Sequence, residues 1–361
     1  MTRALAAVFD GTPQHISLRE LTAPRPGRGE LLLRVAGCTL CGSDLHSFDG
    51  RRTVPVPTIL GHEIVGEIEE LGTPAVDVAG QPLQIGDRVT WAIVAHCGSC
   101  FYCRRGLPQK CLQAVKYGHE AFRPGRELLG GLAEYCLLTP GTSIVRLPDE
   151  LPLSVACPAS CATATIVAAL EAAGELRDRS LCIFGAGMLG LTACAMAHAQ
   201  GVSQVVCVDP QASRRQRAME FGATRGAASE ELGDVMRDSV DPQGFDAVLE
   251  LSGHGQAITA AVPILRMGGT LVLVGSVFPG ASMSVSPEQI VRRQLTLRGI
   301  HNYAPRHLAL AVDFLAAQQE RYPFAELVSE WLPLSSINAA FALSRQPEVI
   351  RIGITPRTAG D

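Results

Sequence analysis

Cysteines at positions 97, 100, 103 and 111 follow the spacing C-x2-C-x2-C-x7-C in a stretch punctuated by Gly98, Gly106 and Pro108. Four thiolates from one short loop can enclose a zinc ion tetrahedrally with no donor from elsewhere, so Cys97, Cys100, Cys103 and Cys111 read as a closed structural zinc site. Four buried thiols, two disulfides or an iron–sulfur cluster are the competing readings; successive x2 spacings and the lack of a Cys-Pro favour zinc. A second reactive segment is Gly185-Ala186-Gly187-Met188-Leu189-Gly190, a G-x-G-x-x-G directly after an apolar run. Gly185 permits the tight turn, Gly187 admits backbone to a pyrophosphate, and Gly190 lets helix pack on strand. Met188 and Leu189 open the helix whose N-terminus faces the phosphates. Asp209, nineteen residues past Gly190, is placed to accept hydrogen bonds from both adenosine ribose hydroxyls. A carboxylate there selects NAD(H) over NADP, whose 2′-phosphate it would repel. Arg214 and Arg215 are the opposing signal, with Arg214 assigned to the adenosine ribose or to a solvated helix charge.

A third set lies in Cys41-Gly42-Ser43-Asp44-Leu45-His46 and Gly61-His62-Glu63: one thiol, two imidazoles, a hydroxyl and two carboxylates in short loops. Taken singly, these residues are ordinary loop and core groups. The elements that must position them fall into two rhythms. Up to about residue 153, brief apolar stretches (30–35, 64–68, 88–94, 133–138) alternate with Gly, Pro and Asp turns, the pattern of a mostly β domain. From 154 to 296 strand alternates with helix: 181–184 then 188–199, 205–209 then 214–221, 245–251 then 257–267, and 271–275. That alternation builds a doubly wound parallel sheet, so the fold class is α/β. The tail, 297–361, carries an amphipathic helix at 307–318 and a strand at 349–354, and is assigned back to the first domain.

Length and composition bound the function. A chain of 361 residues suits two domains with a cleft. A net charge of −4 without Lys/Arg runs argues against a nucleic acid partner or an anionic membrane surface, and leaves a small-molecule substrate. Twelve cysteines spread through apolar segments, with no secretory pattern, suit a reducing, cytoplasmic compartment. Cys38, Cys136, Cys182, Cys194 and Cys207 read as small core residues. The apolar run 181–197 is too interrupted by glycine for a membrane span.

Together, the cysteine loop, the dinucleotide fingerprint and the C-x-S-D-x-H and G-H-E segments resemble the zinc-dependent medium-chain alcohol dehydrogenase family over essentially the whole chain. The resemblance implies a GroES-like catalytic domain with two zinc ions, a Rossmann domain, and hydride transfer between an alcohol and NAD. It assigns Cys41 and His62 as catalytic zinc ligands, with Glu63 beside the metal. The third ligand is expected about two dozen residues before the first fingerprint glycine, where Cys161 stands 24 residues before Gly185 and Cys157 28. Cys161 is preferred. Three protein ligands leave zinc one position for the substrate oxygen. Ser43 would take the alcohol proton toward His46, and Asp44 would orient His62. Thr165, Val274 and Ser276 are expected near nicotinamide, and Arg351 at the pyrophosphate.

The segments 41–52, 116–120 and 161–165 are similar to a branch associated with phosphonate catabolism. That implies a small hydroxyalkyl or aldehyde phosphonate held by Arg51, Arg52, Lys116 or His119. Zinc-free quinone or enoyl reductases share the fold but lack the ligands, neutral alcohols or polyols are the alternative substrates, and a scaffold that binds NADH without turnover is the non-enzymatic reading. Residues 270–277 are expected to form an uncovered sheet edge through which a homodimer, or a tetramer of dimers, assembles.

Overall fold

The computed structural model describes residues 2–238, 243–277 and 283–356. The chain divides into two compact units: residues through Ala164 with those from Ala304 onward, and Thr165–Tyr303. The expected divisions stood at 153/154 and 296/297. Residues 153–160 pack on strand Glu63–Leu71 in the first unit, and strand Thr296–Gly299 joins the sheet of the second.

In the first unit, a sheet runs in the order Ile144–Arg146, Arg88–Trp91, Glu63–Leu71, Leu31–Thr39, Arg351–Thr355, Val328–Pro333, with Tyr135–Leu138 also on Leu31–Thr39. Leu31–Thr39 is apolar on both faces and buried almost throughout, as befits a central strand. Its neighbour Glu63–Leu71 turns outward to solvent only at Glu69 and Glu70. Leu33, Leu40, Ile64, Ile68, Tyr117 and Phe341 meet in one core, and each fully buried aliphatic side chain contributes about 1.5–3 kcal/mol. The antiparallel register pairs Thr39 with Glu63, which sets the segments beginning at Cys41 and ending at His62 side by side. The tail helix, Pro305–Gln318, buries Leu308, Ala311, Val312 and Leu315, a single stripe at helical spacing. The last described strand, Arg351–Thr355, lies antiparallel to Leu31–Thr39, with Gly353 opposite Thr39.

In the second unit, the described strands form a parallel sheet ordered Arg225–Ala227, Gln204–Val208, Ser180–Phe184, Phe245–Glu250, Leu265–Leu273, Thr296–Gly299. Two expectations are corrected here. The helix expected at 257–267 ends at Ala261, and Leu265 already begins a strand, because Pro263 offers no N–H to continue a helix. Residues 270–273 are not an edge, since they pair with Phe245–Glu250 on one side and Thr296–Gly299 on the other. Among the described residues the edge on that side of the sheet is Thr296–Gly299, a four-residue and largely exposed strand. Cys38, Cys136, Cys182, Cys194 and Cys207 are all completely buried. Among the described residues no single helix is long and apolar enough to cross a membrane.

Candidate metal centres and nucleotide crevice

The loop from Cys97 to Cys111 folds back so that all four sulfurs lie within 4.8 Å of one another. The Cys100–Cys103, Cys97–Cys111 and Cys100–Cys111 sulfurs are 3.5, 3.5 and 3.9 Å apart. Those spacings are too long for disulfides, whose bond is about 2.05 Å. They match the roughly 3.8 Å edge of a thiolate tetrahedron around zinc at about 2.3 Å. Backbone amides supply the charge stabilisation: N–H groups of Cys97 and Gln113 each donate to the Cys111 sulfur at 3.3 Å. N–H groups of Cys103 and Leu112 help pull the Cys100 thiol down to about 6. The donor set fits a closed zinc site.

The second cluster is Cys41, His62 and Cys161, whose ligand atoms also lie within 4.8 Å of one another. Cys41 immediately precedes helix Gly42–Phe48, His62 precedes strand Glu63–Leu71, and Cys161 follows the tight turn Cys157–Ser160. The Cys41 and Cys161 sulfurs are 4.0 Å apart, again near the tetrahedral edge. Cys157 is fully buried and lies outside the cluster, so the geometry selects Cys161 of the two candidates. Asp44 is the organiser. Its Oδ1 faces His62 Nδ1 at 3.2 Å and accepts from the Gly61 N–H at 3.1 Å, and its Oδ2 accepts from the Cys41 N–H at 3.0 Å. With Nδ1–H given to the carboxylate, His62 turns Nε2 toward the sulfurs, and the Ser43 hydroxyl stands 3.3 Å from that nitrogen. Ser160 Oγ donates to the His62 carbonyl at 3.2 Å, fastening the turn that carries Cys161.

Electrostatics in this cluster favour a cation. A hydrogen bond from Cys161 holds the Cys41 thiol well below its ordinary range against burial, helped by Arg351 and His62. The same bond, with burial, pushes Cys161 up. Burial opposes charge on His62, but Asp44 and Cys41 outweigh it and lift the imidazole to about 10. A zinc ion would replace these protons with one divalent charge, and the thiolate–imidazole–thiolate donor set of Cys41, His62 and Cys161 suits it.

Behind the ligands lies a buried pair. Glu63, expected beside the metal, is fully buried and outside the ligand cluster. Its carboxylate is held two-pronged by Arg351, Nε to Oε2 at 2.9 Å and Nη2 to Oε1 at 3.0 Å, and Thr39 Oγ1 donates to Oε2 at 2.6 Å. Arg351, expected at the pyrophosphate, is thus engaged with Glu63, with Nη2 also 3.7 Å from the Cys41 sulfur. Sequence reading did not foresee this pairing, nor the supporting bonds from Thr39 and Ser160. His46 sits half-buried one turn after Ser43 on helix Gly42–Phe48, its pKa lowered by burial and by Arg51.

Of the four residues expected at an anionic substrate, Arg52, Lys116 and His119 lie within electrostatic reach of one another, and Arg51 stands apart. Arg51 is exposed and pairs with Asp49. His119 is buried, its Nδ1 2.9 Å from the Tyr117 carbonyl and its ring 5.3 Å from that of His62. Arg52 and Lys116 are half-buried within electrostatic reach of each other and of Asp44. Burial and Arg52 push Lys116 down to about 8, while Cys161 pulls the other way.

In the second unit, Gly185 adopts φ +101°, and a Cβ on Gly190 would stand 1.7 Å from the Gly185 carbonyl oxygen, so both glycines are obligatory. Gly187 precedes the twelve-residue helix Met188–Ala199, whose N-terminal N–H groups suit a phosphate. Asp209 is buried just past strand Gln204–Val208, accepting from the Ala186 N–H through Oδ2 and the Gln211 N–H through Oδ1, both at 2.9 Å. Arg215 donates to the carbonyls of Asp209 and Pro210 at 2.9 and 3.0 Å, and Arg214 occupies the same helix, Ala212–Glu220. Thr165 lies half-buried on helix Ala162–Ala173, while Val274 and Ser276 follow strand Leu265–Leu273. The glycine turn, helix N-terminus and Asp209 fit a dinucleotide.

Comparisons agree with this geometry. Residues 27–149 match the alcohol dehydrogenase GroES-like domain family and residues 189–317 the zinc-binding dehydrogenase family. An L-threonine 3-dehydrogenase of Deinococcus deserti is 33% identical over 285 residues, 77% of this chain and 78% of that protein. A 5-exo-hydroxycamphor dehydrogenase of Pseudomonas putida is 28% identical over 334 residues, 90% of this chain and 91% of that protein. An alcohol dehydrogenase from Thermotoga maritima superposes with a TM-score of 0.93 at 26% identity, covering 99% of this chain and all of that one. A zinc-binding dehydrogenase of Sinorhizobium meliloti, bound to NADP, superposes at 0.85 and 25% identity, covering 99% and 100%.

Proposed function

The chain belongs to the zinc-dependent medium-chain alcohol dehydrogenase family, and from that membership we propose that it oxidises a small alcohol carrying an anionic, phosphonate-like group with NAD, or reduces the matching aldehyde or ketone. It is an alcohol-dehydrogenase-type oxidoreductase. The observation that carries the reaction is the convergence of Cys41, His62 and Cys161, clamped through Asp44. Zinc-free reductases of this fold would have no use for such a donor set. Cys97, Cys100, Cys103 and Cys111 would hold the second, structural ion.

Bound zinc supplies a Lewis acid with a fourth position open to substrate, and the nicotinamide supplies the hydride acceptor. The chain's own residues do the rest. Asp44 fixes the His62 tautomer and holds the main chain at Cys41 and Gly61. Ser43, beside His62 Nε2, takes the alcohol proton and passes it toward His46, whose lowered pKa keeps the imidazole neutral and able to accept it. Asp209, already aligned by two backbone N–H groups, would accept the ribose hydroxyls and disfavour a 2′-phosphate.

Lys116 supports the anionic substrate. Its ammonium forms no ion pair among the described residues, yet it is largely desolvated beside Arg52. Burial and the neighbouring guanidinium both disfavour charge on Lys116, and a substrate anion bound beside its ammonium would offset that cost. The test compares kcat/KM for 2-hydroxyethylphosphonate or phosphonoacetaldehyde with uncharged primary, secondary and polyhydric alcohols, alongside zinc content per chain. Two zinc ions and a preference for the phosphonates are expected. Equal efficiency on both sets would return the substrate to the neutral alcohols, and NADPH preferred over NADH would reverse the coenzyme assignment.

The exposed edge strand Thr296–Gly299, with Met267 and Val291 exposed on neighbouring elements, supports assembly into a homodimer or a tetramer of dimers, to be read from the native mass. Twelve cysteines, none of them in a disulfide, support a reducing, cytoplasmic setting.

A further inference from the structure

Glu250 ends strand Phe245–Glu250, which adjoins Ser180–Phe184 where the parallel sheet reverses its direction of growth. Open α/β sheets bind ligands outside the carboxyl ends of the strands at such a reversal. The side chain is completely buried and has no cationic partner among the described residues. A carboxylate in that position is costly unless neutral donors satisfy it. Here they do: Oε1 accepts from the Ser252 N–H at 2.8 Å, the Ser252 hydroxyl at 2.7 Å and the Gly253 N–H at 2.7 Å, and Oε2 accepts from the Ser276 hydroxyl at 3.3 Å. The main-chain carbonyl of Glu250 accepts from the N–H groups of Val274 and Gly275, both at 2.9 Å.

One residue therefore ties the loop after its own strand to the loop after the next. The two loops touch, since a Cβ on Gly275 would lie 2.3 Å from the Gly253 nitrogen. Ser252 in turn lies against the first fingerprint glycine, 3.3 Å from where a Gly185 Cβ would be. Three strand ends thus converge on one carboxylate.

We propose that Glu250 is a positioning residue of the coenzyme site, holding loops 251–253 and 274–277 in the arrangement that receives the nicotinamide end. The inference rests on the coenzyme reading above, and on neither the zinc chemistry nor the substrate. Glu250→Gln keeps the ties, because the amide oxygen can take the three donors now on Oε1 while its N–H donates to the Ser276 hydroxyl. Glu250→Ala removes all four. The experiment measures binding of NADH and of ADP-ribose, which lacks nicotinamide, to the purified full chain by calorimetry. Glu250→Ala is expected to weaken NADH about tenfold, or about 1.4 kcal/mol, to leave ADP-ribose within about twofold, and Glu250→Gln to restore NADH to within about threefold of the parent. Equal weakening of both ligands, or a folded Ala variant that binds NADH like the parent, overturns the proposal. Should Glu250→Ala not fold, Ser252→Ala takes its place, with about threefold weaker NADH expected and unchanged NADH affinity overturning it. Parent protein that binds neither ligand would overturn the coenzyme reading, and this proposal with it.

Discussion

Replacing Arg351 with methionine separates two roles that its position allows. Glu63 is completely buried and Arg351 nearly so, and they meet through bonds of 2.9 and 3.0 Å. At about 4 Å between charge centres and an effective dielectric near 20, the attraction is about 4 kcal/mol. Removing one partner of a buried pair commonly costs about 3–5 kcal/mol, because the other charge is left uncompensated. Arg351→Met should therefore lower unfolding stability by about 3–5 kcal/mol, read from the shift of the urea midpoint. The pH dependence has a definite sign. Burial already raises the Glu63 pKa, and Arg351 is the main opposing influence. Without the guanidinium, the folded-state pKa rises further above the unfolded value, so the folded chain binds the extra proton. The cost of ionised Glu63 is then fully present above the raised pKa and relieved as pH falls through it, and relative to the parent the variant should regain stability on acidification from pH 8 to 5. Arg351→Met/Glu63→Leu should be more stable than the single variant. A loss below about 1 kcal/mol, with coenzyme affinity reduced instead, would refute the structural role and restore the pyrophosphate contact.

Three further outcomes follow from the same geometry. Cys103→Ser removes one of four sulfurs from the closed cluster and should halve the zinc content while lowering the thermal midpoint, measured by metal analysis and calorimetry; full zinc retention would count against a four-thiolate site. Lys116, held down to about 8, loses its charge as pH rises through that value. KM for a phosphonate should therefore climb above pH 8 while KM for a neutral alcohol stays level, and Lys116→Met should flatten the difference. Gly190→Ala places a Cβ 1.7 Å from the Gly185 carbonyl oxygen, so a destabilisation of about 3 kcal/mol and loss of ADP-ribose binding are expected; parent-like binding would show that the turn can relax.

What the sequence disclosed depended on how local each feature is. The four-cysteine loop was legible because all its ligands lie within one turn-rich segment, and the fingerprint because three glycines each answer a separate steric need. Cys161 required spacing relative to Gly185, since nothing in its own neighbourhood distinguishes it from Cys157. The Glu63–Arg351 pair spans 288 positions and exists only because Leu31–Thr39 pairs with both Glu63–Leu71 and Arg351–Thr355. No periodicity in either segment announces that. Thr296–Gly299 escaped notice because a four-residue, largely exposed strand shows no alternation to read, and the true edge of the sheet escaped with it.

The position of Arg351–Thr355 in sequence, after the whole of residues 165–303, matters for biosynthesis. Residues 165–303 are contiguous and can complete their sheet as soon as they leave the ribosome. The first unit must wait, with the Thr39 end of Leu31–Thr39 lacking one of its partners and the Glu63 carboxylate lacking its cation until residues 351–355 are translated. Deleting those five residues alone would therefore be far more damaging than the length of the segment suggests, leaving nascent chains with a bare β edge at the Thr39 end of Leu31–Thr39 that invites chaperone capture or aggregation.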